Sequence, residues 1–135
     1  MALITWNNNY SVNIKEIDSQ HKKLVELVNE LYDNMKIGKG KEVTGKVLND
    51  LVKYTESHFA YEEELFKKFK YIEGVKHSQE HAQLLSKVKS FVKDFDSGKG
   101  SVSVELLNFL KDWLVSHIGN SDKKYSQFLN SKGVS

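Results

Sequence analysis

The 135-residue sequence predicts an all-α protein, an up-down-up-down four-helix bundle with an N-terminal extended arm and a short C-terminal helix. Three observations predict it. Proline, the residue that most strongly breaks helices, is absent from the chain. Apolar residues recur at helical spacing of three and four over four long stretches. Those stretches are separated by short glycine-rich or turn-forming segments, which suit antiparallel neighbours in a bundle.

The first fifteen or so residues carry no sustained helical period and read as an arm bearing Trp6 and Tyr10. Asp18 or Ser19 can cap a first helix ending near Ile37, where Gly38-Lys39-Gly40 stops it. His21, Leu24, Val28, Leu31 and Met35 form its stripe. A second helix is expected over about 42–70, with Leu48, Leu51, Thr55, His58, Glu62, Leu65 and Phe69 on one face. After a break at Tyr71-Ile72-Glu73-Gly74, a third covers about 75–95, with His77, His81, Leu84, Val88, Phe91 and Phe95 aligned. Asp96-Ser97-Gly98-Lys99-Gly100 reads as a loop. Ser101 or Ser103 then caps a fourth helix with Leu106, Phe109 or Leu110, Trp113 and His117 on its stripe. Gly119-Asn120 is expected to end that helix, and Ser121 to cap a short terminal one reaching Leu129.

Composition removes several function classes. The chain has no cysteine, which excludes disulfides, thiolate metal sites, iron–sulfur clusters and cysteine nucleophiles. Twenty basic residues against eighteen acidic ones are interspersed, and no basic cluster is interleaved with aromatics, so no nucleic-acid partner is expected. No apolar run approaches the roughly 20 residues of a membrane span. The amino terminus lacks the basic and apolar regions of a secretory signal, and the expected location is cytoplasmic. No repeat or linker interrupts the chain, so residues 1–135 read as a single domain.

The five histidines carry the chemistry. His21, His58, His77, His81 and His117 all fall on core-facing stripes and none on a polar face. One buried imidazole is ordinarily a core residue with a satisfied hydrogen bond. Five together each need a partner or carry a desolvation cost, and a shared metal satisfies them at once. Glu62 lies one turn from His58 on the same face, where an ionised carboxylate is costly unless paired or metal-bound. The alternative places Glu62 at the stripe's edge with Glu63 and Glu64 in water. His77 and His81 form an i, i+4 pair able to present two nitrogens to one ion. Asp122 follows His117 by five residues, awkward in a regular helix; a Gly-Asn break could swing it back, and by itself it reads as solvated.

Five imidazoles and two carboxylates exceed what one reactive ion can use. Across two six-coordinate ions, two bridging carboxylates, five imidazoles and one bridging oxygen leave a single position open. Octahedral geometry suits iron or manganese better than tetrahedral zinc.

The sequence resembles the bacterial members of the hemerythrin family over essentially its whole length. The matching features are Trp6, Ile17-Asp18-Ser19-Gln20-His21, His58-Phe59-x-x-Glu62-Glu63 and His77-x-x-x-His81. They continue with Trp113-x-x-x-His117-Ile118-x-x-x-Asp122-x-x-Tyr125. The resemblance implies two non-haem iron ions joined by an oxo or hydroxo group. His77, His81 and His117 would hold one iron, His21 and His58 the other, with Glu62 and Asp122 bridging. Dioxygen would bind reversibly at the open position of the two-histidine iron, with no net reaction and hence no enzyme activity. Leu24, Phe59, Trp113, Leu114 and Ile118 would line a dry pocket there, and plain core packing explains the same residues. By the same resemblance Tyr125 would approach the site, with its role open. One departure is Ile72, where family members often carry proline after the tyrosine.

The expected role is oxygen binding for storage, transport to an oxygen-requiring enzyme, or sensing through a signalling partner. The competing reading is a ferritin-like di-iron oxidase or peroxidase, which uses carboxylate-rich Glu-x-x-His pairs. No Glu in this sequence is followed three residues later by His.

Overall fold

The computed structural model describes residues 3–36, 41–96 and 104–135. Four helices form the bundle: α1 (Lys15–Lys36), α2 (Lys41–Phe69), α3 (Gly74–Asp96) and α4 (Val104–Ser116). α4 continues through a π-helical turn (His117–Asp122) into α5 (Lys123–Ser131). α1 packs on α2 and α4, and α3 packs on α2 and α4, closing the square of an up-down-up-down bundle. No helix among the described residues is long and apolar enough to cross a membrane.

The arm is mostly non-helical, as expected, with one 3₁₀ turn at Asn8–Tyr10. It is tied to the bundle at both ends. The Ile4 amide and carbonyl pair with the Asn29 side chain at 2.9 Å each. Ser126 donates to the Val12 carbonyl at 2.5 Å. Val12, Ile14 and Ile17 are fully enclosed, so the arm closes one end of the core.

α1 begins at Lys15, earlier than the expected cap at Asp18 or Ser19. Asn13 takes a left-handed φ of 57°, a conformation asparagine tolerates, and the helix starts two residues later. Asp18 instead reaches back from the first turn, accepting from the Val12 amide at 2.8 Å and the Ser11 hydroxyl at 2.5 Å. The carboxylate therefore fastens the arm rather than starting the helix. The glycine stop after Ile37, the loop after Asp96, the Ser101 or Ser103 cap and the Met35 side chain lie outside the described residues.

The helical stripes fall close to expectation. On α1, Ile17, His21, Leu24, Val28 and Leu31 are buried in steps of three and four. On α2 the stripe ends on Phe66, while Leu65 and Phe69 are only half-buried. Phe66 lies against Gly74, where a Cβ would come within 3.1 Å of its own Cβ, so a larger residue there would push the α2–α3 corner apart by a few tenths of an ångström. α4 buries Leu106, Leu110 and Leu114, with Phe109 and Trp113 partly covered.

The fourth helix departs most from expectation. Gly119-Asn120 does not end it; residues 104–131 run as one helical rod, with right-handed backbone at Ser116, Asp122 and Lys123. Ser121 caps nothing there and donates to Glu80 at 2.8 Å. A single glycine lowers helix propensity by only about 1 kcal/mol, too little to force a break where the flanking residues are packed.

Candidate metal centre

The core divides into layers along the helix axes. The larger apolar cluster contains Leu24, Val28, Leu31, Phe59, Leu84, Leu114 and Ile118. The smaller one contains Val12, Ile14, Ile17, Phe66, Tyr125 and Leu129. Between them, on every wall of the bundle, stand the seven polar residues singled out from the sequence. His21 comes from α1, His58 and Glu62 from α2, His77 and His81 from α3, and His117 and Asp122 from the π turn. All seven are buried, and Glu62 and Asp122 have no exposed surface.

The π turn explains the awkward five-residue spacing. In an α-helix five residues overshoot one turn by about 140°. A π turn bonds i to i+5, which brings the ends of such a segment onto one face. Here the His117 Nε2 lies 3.0 Å from Asp122 Oδ1. A regular helix would have turned that carboxylate away from the bundle axis.

Donor atoms from the seven residues converge in two overlapping groups. One contains Glu62, His77, His81, His117 and Asp122, and the other His21, His58 and Glu62. Within each group the ligand-type atoms all lie within 4.8 Å of one another. Asp122 faces both groups. Its Oδ1 stands 3.0 Å from both His77 and His117, and its Oδ2 3.1 Å from His21. Glu62 Oε1 stands 3.3 Å from both His58 and His81.

These contacts are not aligned as hydrogen bonds. The Nε2 atoms of His21, His77, His81 and His117, both Asp122 oxygens and Glu62 Oε1 are buried without hydrogen-bond partners. Leaving so many buried polar atoms unsatisfied would cost about 1–3 kcal/mol each. Bound cations at the centre of the two groups satisfy them together, and imidazole nitrogen with carboxylate oxygen is a donor set suited to iron. The residues present fit a pair of metal ions.

Electrostatics agree with a cation-seeking site. Burial and the Asp122 charge push the Glu62 carboxyl upward, but His58 and His81 outweigh them and hold it below the usual carboxylate range. Burial likewise opposes ionisation of Asp122, and the neighbouring His117, His21 and His77 hold it well below that range. His21 and His117 lose basicity to burial but are raised overall, chiefly by Asp122. Tyr125 donates a short hydrogen bond to Glu62 Oε2. Burial, with the Asp122 and Glu62 charges, raises its phenol well above the ordinary value.

Two of the imidazoles are also engaged on their outward faces. His58 Nδ1 meets Gln20 Oε1 at 2.6 Å, and His81 Nδ1 meets Glu63 Oε2 at 3.2 Å. Glu80 lies 3.7 Å from His117 Nδ1 while accepting from Ser121. Sequence reading assigned no part to Gln20, Glu63 or Glu80. The available signal was adjacency, because each directly precedes or follows one of the seven polar residues in the chain. Phe59 stacks flat on His81 with ring centres 3.7 Å apart, and Trp113 on His117 at 4.1 Å. Leu24, Phe59, Leu114 and Ile118 are buried in the larger apolar cluster, with Trp113 packed against it.

A four-helix bundle that gathers five imidazoles and two carboxylates into its core defines a histidine-rich, non-haem dimetal protein. The profile of the "Hemerythrin HHE cation binding domain" matches residues 12–129. A bacteriohemerythrin of Methylococcus capsulatus is 35% identical over 97% of this chain and all of its own length. A hemerythrin-like protein of Naegleria gruberi is 32% identical over 92% of each chain. The crystal structure of a wild-type hemerythrin superposes with a TM-score of 0.89 at 34% identity, covering 93% of this chain and 97% of that one. The chain belongs to the hemerythrin family. Its cofactor is a non-haem di-iron centre, and the family's members are oxygen-binding proteins rather than enzymes.

Proposed function

We propose that the chain binds dioxygen reversibly at a di-iron centre held by His21, His58, Glu62, His77, His81, His117 and Asp122, and stores oxygen or delivers it to oxygen-requiring enzymes. The observation that carries this reading is the convergence of those seven buried side chains in two groups sharing Glu62, with Asp122 facing both. His77, His81 and His117 would hold one iron and His21 and His58 the other, with Glu62 and Asp122 supplying carboxylate oxygen to the pair. When bound, the iron pair supplies the electrons that bound oxygen takes up and returns on release. Residues 1–135 form a single hemerythrin-like domain in this proposal, working in the cytoplasm.

The protein's own residues supply three things. His58 and His81, each engaged at Nδ1 from outside, turn their Nε2 atoms toward the centre, which pre-orients two of the five imidazoles for metal. The Tyr125 hydroxyl occupies Glu62 Oε2, leaving Oε1 free to face His58 and His81. Leu24, Phe59, Trp113, Leu114 and Ile118 line the approach to the two-histidine iron. Their apolar surface admits a small neutral molecule and disfavours water and anions.

The test is anaerobic loading with two ferrous ions per chain, followed by air and then by oxygen removal. A charge-transfer absorption that appears and disappears with oxygen is expected. A fully loaded ferrous protein that takes up no oxygen overturns the reading.

A further inference from the structure

The hydrogen bonds behind the imidazoles differ between the two halves of the centre. On the three-histidine side, the carboxylate of Glu63 accepts from His81 Nδ1 at 3.2 Å, and the Glu80 carboxylate stands 3.7 Å behind His117. On the two-histidine side, His58 Nδ1 donates at 2.6 Å to an uncharged amide, Gln20. His21 Nδ1, fully buried, has no partner. The orientation of the Gln20 amide is set by its own nitrogen, which donates to Glu16 at 3.0 Å. Its oxygen therefore faces His58 as an acceptor. His58 carries its proton on Nδ1 and turns the Nε2 lone pair inward, and the Glu63 contact does the same for His81.

An anionic acceptor behind a ligating imidazole draws its N–H proton and raises the basicity of the opposite nitrogen more than a neutral acceptor does. Resting on the ligand assignment above, we propose that Glu63 and Gln20 are opposed positioning residues. Glu63 strengthens His81 as a donor and holds the three-histidine iron tightly. Gln20 orients His58 without adding charge and leaves the two-histidine iron the weaker held and more exchangeable of the pair. The exchangeable ion is then the one on the side where the small ligand enters. Both residues are partly exposed and sit outside the buried ligand set, so the chain can tune them without repacking the core.

The test uses full-length protein loaded anaerobically with ferrous iron, in wild type and in Glu63→Gln, Gln20→Glu, Glu63→Ala and the Glu63→Gln/Gln20→Glu exchange. Release to a strong ferrous chelator is followed alongside thermal melting. Wild type is expected to release two irons in two phases. Glu63→Gln, which keeps an acceptor but loses the charge, should speed the slow phase by about tenfold or more. Gln20→Glu should slow the fast phase by a similar factor, and the exchange should bring the phases together or reverse them. The proposal fails if Glu63→Gln behaves as wild type while Glu63→Ala alone is impaired, since the hydrogen bond would then serve only to place the ring. It also fails if every variant changes both phases equally. Wild type binding other than two irons per chain would instead sink the ligand assignment, a separable outcome.

Discussion

Two kinds of layer share this bundle's core, and they are held by different physics. The apolar cluster around Val28 and Leu31 needs only shape and volume, because each methyl group removed from water stabilises it independently of direction. The polar layer directly beside it buries seven groups that gain nothing from burial and must be satisfied by geometry. The difference teaches where each layer is fragile. The apolar layer degrades in proportion to lost volume, whereas the polar layer depends on all its members and on the metal at once.

The largest expected effect is removal of iron. Without it the buried Nε2 and carboxylate atoms are left to one another, and stability should fall by more than about 4 kcal/mol, the linkage expected at a thousandfold saturation. Thermal melts with and without chelator measure this; equal melting temperatures would erase the distinction between the layers. In the metal-free form the sign of the pH dependence follows from both kinds of group. Glu62 and Asp122 are held below their ordinary values, so their contribution is present above about pH 4 and is lost as pH falls further. His21 and His117 are raised, so their contribution is full below about pH 6.5 and is lost as pH rises through the folded values. Metal-free protein should thus melt highest in mildly acidic buffer, and a maximum on the alkaline side would contradict the assignment.

Next in size is Leu31→Ala, a truncation at a fully enclosed apolar position. It should cost about 2–5 kcal/mol in chemical denaturation while iron content stays at two per chain. Loss of iron in folded Leu31→Ala protein would show that the layers are not separable. Tyr125→Phe is smaller, about 1–3 kcal/mol, because it removes the hydroxyl that satisfies Glu62 Oε2 and leaves the ring's packing intact. The ultraviolet and visible spectrum of the loaded variant should shift as well, and an unchanged spectrum with unchanged stability would place the hydroxyl outside the centre's energetics.

The smallest effect concerns two helix ends. α5 closes with Gly133 at a left-handed φ of 87°, with Val134 bonded back to the Leu129 carbonyl at 3.0 Å. α2 closes the same way, Tyr71 bonding to Phe66 at 2.9 Å, but with Lys70 in the left-handed position at φ 56°. Lys70→Gly should therefore stabilise the protein by about 0.5–1 kcal/mol without touching iron content. A destabilised Lys70→Gly would mean that the lysine side chain contributes more than its backbone strain costs.

Much of the fold is legible in the sequence because helical periodicity is a local signal. The stripes on α1 and α3 follow from spacing nearly residue for residue, as does the grouping of histidines on core faces. The points that differ are those where a side chain acts at a distance or against local propensity. Asp18 has the type and position of a cap, yet it holds Ser11 and Val12 across the arm. Gly119-Asn120 has the composition of a stop, yet the rod continues as a π turn. Leu65 and Phe66 are both apolar and both at helical spacing from Glu62, and only tertiary contacts, those of the Phe66 ring with Tyr71, His77 and Tyr125, select Phe66 for the core.

By itself the sequence determined the four long helices, their apolar faces and the five histidines of the polar layer, because spacing along one helix decides which side chains share a face. It left Glu62 open to an edge position and Asp122 reading as solvated. How the seven polar residues divide into two groups is absent from the spacing of any one helix and was implied only by the family resemblance. The tertiary structure gathers the histidines into those same two groups, since that depends on which helices are neighbours. It alone also decided that Asp122 reaches both groups, through a turn that no local pattern announces. And it alone placed Gln20 and Glu63 behind the centre, because hydrogen bonds between separate helices leave no period in the chain.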